Sequence, residues 1–300
     1  FFTGIAALFA SGQNQGDAGQ QFTPKSFTDN LCLIETHCTT LKQANALAEK
    51  INAAGGRIAV IGSPEFMTGW IPADVKALLA ETKTISGIYY SQAQPLRASL
   101  NSSSSAIVNY FNSVISGEIF KIEEETETHL HAYPMQIGKC MKLPEQNASR
   151  SICERDKNTD YMKGSVSCSI FFVESNGAGD PNTYTWTSTN INNLKAQMLD
   201  AFSIWSYTAS QNSASVSFTP IWFEAPNTVV NQPYEPILHP SSDDGLWVTS
   251  ILSNLGYNSG DKFLDTHEYN WDVRNTNGTN WAYSAFVINN PSPAAQVFTD

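Results

Sequence analysis

The sequence predicts a mixed α/β fold, of the α/β or α+β class, and three observations carry that expectation. Segments that alternate apolar and polar residues, as half-buried strands do, are followed by segments with a three-to-four-residue apolar period, as helices are. Gly55-Gly56, Gly117 and Gly256 stop the helical patterns, and Pro72 opens one at the favoured first position. An apolar content of 41 % in 300 residues is ample for one large or two ordinary hydrophobic cores.

Residues 1–26 read as an amino-terminal arm with an apolar start, FFTGIAALFA, followed by a polar stretch. Ala10-Ser11-Gly12 has the small-residue character of a secretory cleavage site, and Phe1 reads as a processed or truncated start. Residues 27–117 then alternate strand (29–38), helix (41–56), strand (57–64), helix (72–82), strand (85–91) and helix (103–117). This is the pattern of a small α/β sandwich, the kind of module that serves as a propeptide or inhibitor. Residues 118–160 shift to an acidic run, Glu123 to Glu127, and a Pro/Asn/Ser loop, which predicts a linker.

A second domain is expected over 161–300. Its strand 165–173 leads through the loop SNGAGDPNTY into a long helix near 188–209, with Ile191, Leu194, Met198, Phe202 and Trp205 on one face. Strand 215–224 follows, then a helix capped by Ser242-Asp243-Asp244 and running to Leu255, then strand 281–289.

Charge narrows the function classes. The net charge of −11 and scattered Lys and Arg exclude a basic stripe for nucleic acid or an anionic membrane surface. No segment approaches the roughly 20 apolar residues of a membrane span. Charged residues make up only 15 %, with Asn, Ser and Thr abundant, which suits a secreted or cell-surface protein.

Five cysteines leave one unpaired. Cys140 and Cys153 flank a loop and are the best disulfide pair; Cys32 and Cys38 are close enough in sequence to pair with each other, unless the residues between them form a straight strand, which would space them too far apart. Cys168 lies among the apolar residues of a strand and reads as a buried free thiol. Asn101, Asn147 and Asn277 stand in glycosylation sequons.

Two groups of residues offer metal chemistry. On a strand, Glu127, His129 and His131 share one face, although an exposed acidic linker strand explains them without a metal. Glu174, Asn176 and Asp180 supply oxygens that suit calcium, in a loop that equally suits Asx turns. There is no G-x-S-x-G elbow, and His37 and Cys38 point to opposite faces of a strand, so nucleophilic catalysis finds no constellation.

One resemblance ties the second domain together. The helix ending FSIWSYTAS and the strand SVSFTPIWF resemble metzincin-type peptidases, where a long helix with a Trp near its end enters a strand of the upper sheet. DYMKGSVSCSIFFVESNG, PYEPILHPSSDDGLWV, LGYNSGD and NWAYSAFVIN resemble a family of secreted zinc metallopeptidases of bacteria and archaea. The resemblance covers about residues 160–300 and implies an incomplete metzincin-like mixed sheet with a long packed helix. It also implies that an HExxH helix follows the last strand, with zinc held by three protein ligands and one open position. The nearest string here, His267-Glu268-Tyr269-Asn270-Trp271, puts at the second ligand position a Trp that cannot bind zinc.

The expected function is therefore a secreted zinc-metallopeptidase-like protein whose 300 residues lack the metal-binding helix and are inactive. No catalytic residue carries over; zinc and a peptide substrate belong to a chain that continues into that helix. The alternative is an extracellular structural subunit that self-associates through Phe1, Phe2, Ile5, Leu8 and Phe9 of its arm. A third reading makes 27–117 an inhibitor-like binding module.

Overall fold

The computed structural model describes residues 27–79, 82–93, 100–118, 163–181, 183–211 and 214–290. The fold is mixed α/β, with helices on both faces of an eight-stranded sheet. Its elements are β1 (Leu31–Thr36), α1 (Leu41–Ala53), β2 (Arg57–Ser63), β3 (Phe66–Trp70), α2 (Ala73–Leu79), β4 (Ile85–Tyr89) and α3 (Ser102–Ser116). These are followed by β5 (Gly164–Ser175), α4 (Ser188–Gln211), β6 (Val216–Phe223), β7 (Asn231–Gln232), α5 (Gly245–Asn254), α6 (Lys262–Asn277) and β8 (Trp281–Ile288).

The strands run in the order β4-β1-β3-β2-β6-β5-β7, with β8 also paired to β5. Strands β1 to β4 pair antiparallel, whereas β2, β6, β5 and β8 are mutually parallel. Val60 pairs with Phe218, so the strands of 27–117 and of 161–300 belong to one continuous sheet across the expected domain boundary. The arm 1–26, the linker 119–162 and the tail 291–300 lie outside the described residues.

Alternation along β5 sorts the layers. Val166, Cys168, Ile170 and Phe172 face α3 and α4, packing with Ile107, Phe111, Met198 and Phe202. Phe171 and Val173 face the other way, under Trp247, Ile251 and Leu252 of α5 and Tyr269 of α6. On that second face α1 and α2 cover β1 to β3 through Leu47, Ile51, Val75 and Leu79. Phe171 pairs in register with Phe223 on β6 and Phe286 on β8, and its ring stacks on both at 4.6 and 5.0 Å. Three strands thus share one aromatic ladder.

Helix ends follow their sequence signals. Thr40 and Asn101 accept backbone N–H bonds at the starts of α1 and α3, and left-handed Gly117 and Gly278 end α3 and α6. Gly62 has a packing reason: a Cβ there would lie 2.4 Å from Cβ of Ile107, so α3 sits directly on β2.

The structure adds what the patterns concealed. β3 turns back from β2 at Pro64-Glu65, and α6 carries the His267-Glu268 string on a helix. Asp244 does not cap α5 through its side chain as expected; its carboxylate pairs with Lys262 at the start of α6. Cys32, Cys38 and Cys168 are buried free thiols, which leaves the Cys32–Cys38 option unused; Cys140 and Cys153 lie outside the described residues. No described helix is long and apolar enough to cross a membrane.

Candidate functional site

The parallel strands deliver β5 and β6 side by side, and their carboxyl ends open toward the loops that follow. The β5–β6 crossover places α4 on one face, and the β6–β8 connection places α5 and α6 on the other. β5 is thus a switch point, with its next two parallel strands on either side; in open α/β sheets ligands bind beside such a point.

At this edge a cavity of about 730 Å³ lies between α3 and the first half of α4. α3 buries Ile107, Val108, Phe111 and Val114 on the sheet and turns Ser102, Ser105, Asn109 and Ser113 toward the cavity. These positions recur at three- and four-residue steps, one stripe of a helix. α4 answers with Ser188, Asn192 and Lys195. The two helices therefore face each other with short hydrogen-bonding side chains along this stretch, and open space separates them.

The floor is a charged pair. Nζ of Lys195 lies 2.7 and 2.6 Å from the two carboxylate oxygens of Glu224, the residue after β6. Oγ of Ser102 donates to the same carboxylate at 2.8 Å, which ties α3, α4 and β6 together. The Lys195 side chain is 3 % exposed and that of Glu224 19 %, so the ammonium is desolvated and depends on this partner. It also lies 5.5 Å above the ring of Trp222. Nearby, Tyr110 donates to Asp200 at 3.3 Å; burial, then the Asp200 charge, raises its phenol well above the usual range and keeps it protonated.

On the other side of Ala225, a smaller hollow of about 260 Å³ is lined by Glu174, Asn176 and Asn231. The acidic loop beside it is internally bonded. Asp180 accepts from the backbone of Glu235 at 2.7 Å, and its Oδ2 lies 2.8 Å from Nε2 of His239. Burial works to raise the Asp180 carboxyl, but the bonds from His239 and Glu235 outweigh it and hold it below the usual range. Glu235 is raised, by burial first and then by the charges of Glu174 and Asp180, against the lowering bond from the Tyr184 N–H.

The residues singled out from sequence fall apart under this geometry. Glu174 accepts from the Trp186 N–H, Asn176 closes an Asx turn on Ala178, and Asp180 holds His239, so the three oxygens serve three different bonds. Among the described residues no group of three or more His, Cys, Asp or Glu is placed to hold a metal ion. Glu127, His129, His131, Asn147 and the arm residues Phe1, Phe2, Ile5, Leu8 and Phe9 lie outside the described residues. His267 and Glu268 lie on the exposed side of α6.

Two sequons diverge. Asn101 is exposed and uses only its Oδ1 as a cap, which leaves its nitrogen accessible. Asn277 is 7 % exposed, and its Nδ2 donates to buried Ser167, so a glycan there is incompatible with this packing. Burial raises the Cys32 thiol to about 12 and pushes Cys168 up further, which removes both as thiolate nucleophiles.

Sequence reasoning missed Lys195, Glu224, Asn109 and Asn192. One signal was present: Lys195 interrupts the apolar stripe of Ile191, Leu194 and Met198, and a Lys in such a stripe calls for a buried partner. Comparison of the chain with protein-family models, curated proteins and solved structures finds no match.

Proposed function

We propose that this is an extracellular, zincin-like scaffold protein that acts in these 300 residues by binding a ligand at its carboxyl strand edge, without a hydrolytic centre of its own. The observation that carries the reading is the parallel set β6-β5-β8 with the 24-residue helix α4 as the crossover between β5 and β6. It gives shape to the strand–long helix–strand run on which the metzincin resemblance rests. The cleft between α3 and α4 supports the binding half of the proposal, since its volume is in the usual range for ligand sites. The sparsely charged, Asn- and Ser-rich composition supports the extracellular half.

One experiment tests it. Incubating the 300-residue chain with peptide substrates and zinc should give no chelator-sensitive cleavage, and such cleavage contradicts the proposal.

A second reading, a self-assembling structural subunit, is favoured by β8. Its eight residues, WAYSAFVI, carry no charge or proline, its register on β5 is regular, and among the described residues β5 is its one strand partner. An uncharged edge of this kind accepts an added strand readily. If the arm of another copy supplies that strand, deleting residues 1–12 should convert assemblies to monomers, and unchanged assembly removes the reading.

A further inference from the structure

We infer that the cleft between α3 and α4 takes an extended peptide, held through its backbone by the side-chain amides of Asn109, Asn192 and Gln92 above the Lys195–Glu224 pair. The inference rests on the cleft being a binding site and adds the class of ligand.

Three features select the ligand. First, most residues that line the cavity carry a hydroxyl or an amide, set among slightly more apolar than polar surface. An amide side chain presents one acceptor and two donors on a planar group, which matches the N–H and C=O of a peptide backbone whatever its side chains are. Asn109, Asn192 and Gln92 are exposed, and among the described residues no hydrogen bond holds their side chains. Second, the stripe from Ser102 to Ser113 extends about 16 Å at 1.5 Å per helical residue, room for about five residues of extended chain. Third, the charge is wrong for an anion. Lys195 is already committed to Glu224, and Glu118 adds an exposed carboxylate at the rim.

A sugar fits less well. Carbohydrate sites commonly present an open aromatic face for stacking. Tyr110 is the one aromatic in this lining; it is 1 % exposed and its hydroxyl is engaged by Asp200. The rim carboxylate and the net charge of −11 favour a peptide carrying Lys or Arg, with binding that weakens as salt rises.

The test is fluorescence anisotropy with the full 300-residue chain and a fluorescein-labelled nonapeptide of Ser, Val and Lys. Beside it run the same peptide N-methylated at alternate residues, and cellohexaose as a competitor. The expected result is saturable binding that falls at least tenfold on N-methylation and at least tenfold in the double variant Asn109→Ala/Asn192→Ala. Both asparagines are exposed, so the variant should keep the melting temperature of the parent, which is measured alongside. Absent binding, equal binding of the N-methylated peptide, or binding indifferent to the asparagines each overturns the inference. Displacement by cellohexaose, lost in the same double variant, would keep the cleft as a binding site and remove the peptide as its ligand.

Discussion

The two faces of the sheet are held by different means. Toward α3 and α4 the strands present an apolar surface, Val166, Cys168, Ile170 and Phe172 on β5 and Val216 and Phe218 on β6. Toward α1 and α6 the same strands present Ser167, Ser169 and Thr219, all buried and all bonded to the helices. Asn45 of α1 donates to the carbonyl of Asn277 and accepts from Thr219, Asn277 donates to Ser167, and Tyr269 donates to Ser169 at 2.7 Å. On the second face these bonds fix α1 and α6, while α2 and α5 pack through the apolar side chains of Val75, Leu79, Trp247, Ile251 and Leu252. On the first, apolar burial dominates, beside bonds from Ser104 of α3 to Ser63 of β2 and from Ser206 of α4 to the Val216 carbonyl. The helices part around the cleft, where the Lys195–Glu224 pair joins α4 to the end of β6 and Ser102 of α3 bonds the same carboxylate. The lesson is that the locked face, bonded at α1 and α6, fixes those helices directionally, whereas the open face, which holds the largest apolar cluster, leaves a cleft between its helices.

Substitutions can break this contrast, and the largest effect belongs to the aromatic ladder of the locked face. Phe171→Ala removes the central ring of a three-strand stack and should cost about 3–5 kcal/mol in denaturant unfolding. Lys195→Ala strands the Glu224 carboxylate and should cost about 3 kcal/mol, while Lys195→Met with Glu224→Gln should recover most of it. If the single and double variants are equally unstable, the pair is not what joins α4 to the end of β6. Asn45→Ala leaves Thr219 and the Asn277 carbonyl without their shared partner and should cost about 1–3 kcal/mol, with no effect on ligand binding.

The smallest effects are those of pH, and two loop carboxyls should show opposite signs. The folded Glu235 group titrates above its unfolded value, so its contribution is fully present in acid and is lost as pH rises through the folded value. Glu235→Gln should therefore raise the melting temperature at neutral pH, with the gain vanishing in acid. Asp180 titrates below its unfolded value, so its stabilisation is present at neutral pH and lost as pH falls. Asp180→Asn should lower the melting temperature at neutral pH, with the deficit closing in acid. Gaps of the same sign would contradict the assigned causes.

The contrast between the faces also explains what the sequence disclosed. β5, β6 and α4 were legible because the open face obeys apolar periodicity, with Ile191, Met198 and Phe202 on one helical stripe. α6 was not, because the side it buries includes Asp265, Tyr269 and Asn277, and a polar buried face leaves no apolar period to find. Ser167 and Ser169 look solvent-facing in the strand alternation, yet each is 0 % exposed. β3 was hidden by Pro64 and by Gly69, which brings the backbones close: a Cβ there would lie 2.1 Å from the Arg57 carbonyl oxygen. The cleft was illegible for another reason. Ser102, Asn109 and Asn192 read as ordinary solvated positions until two helices distant in sequence are set side by side.

Amide hydrogen exchange of the full chain, with and without the Ser/Val/Lys nonapeptide, tests the division of labour most directly. The account predicts added protection in α3 and in the first half of α4, and none in α1 or α6. Protection that appears on the α1 and α6 side, or that spreads evenly over both faces, would contradict it.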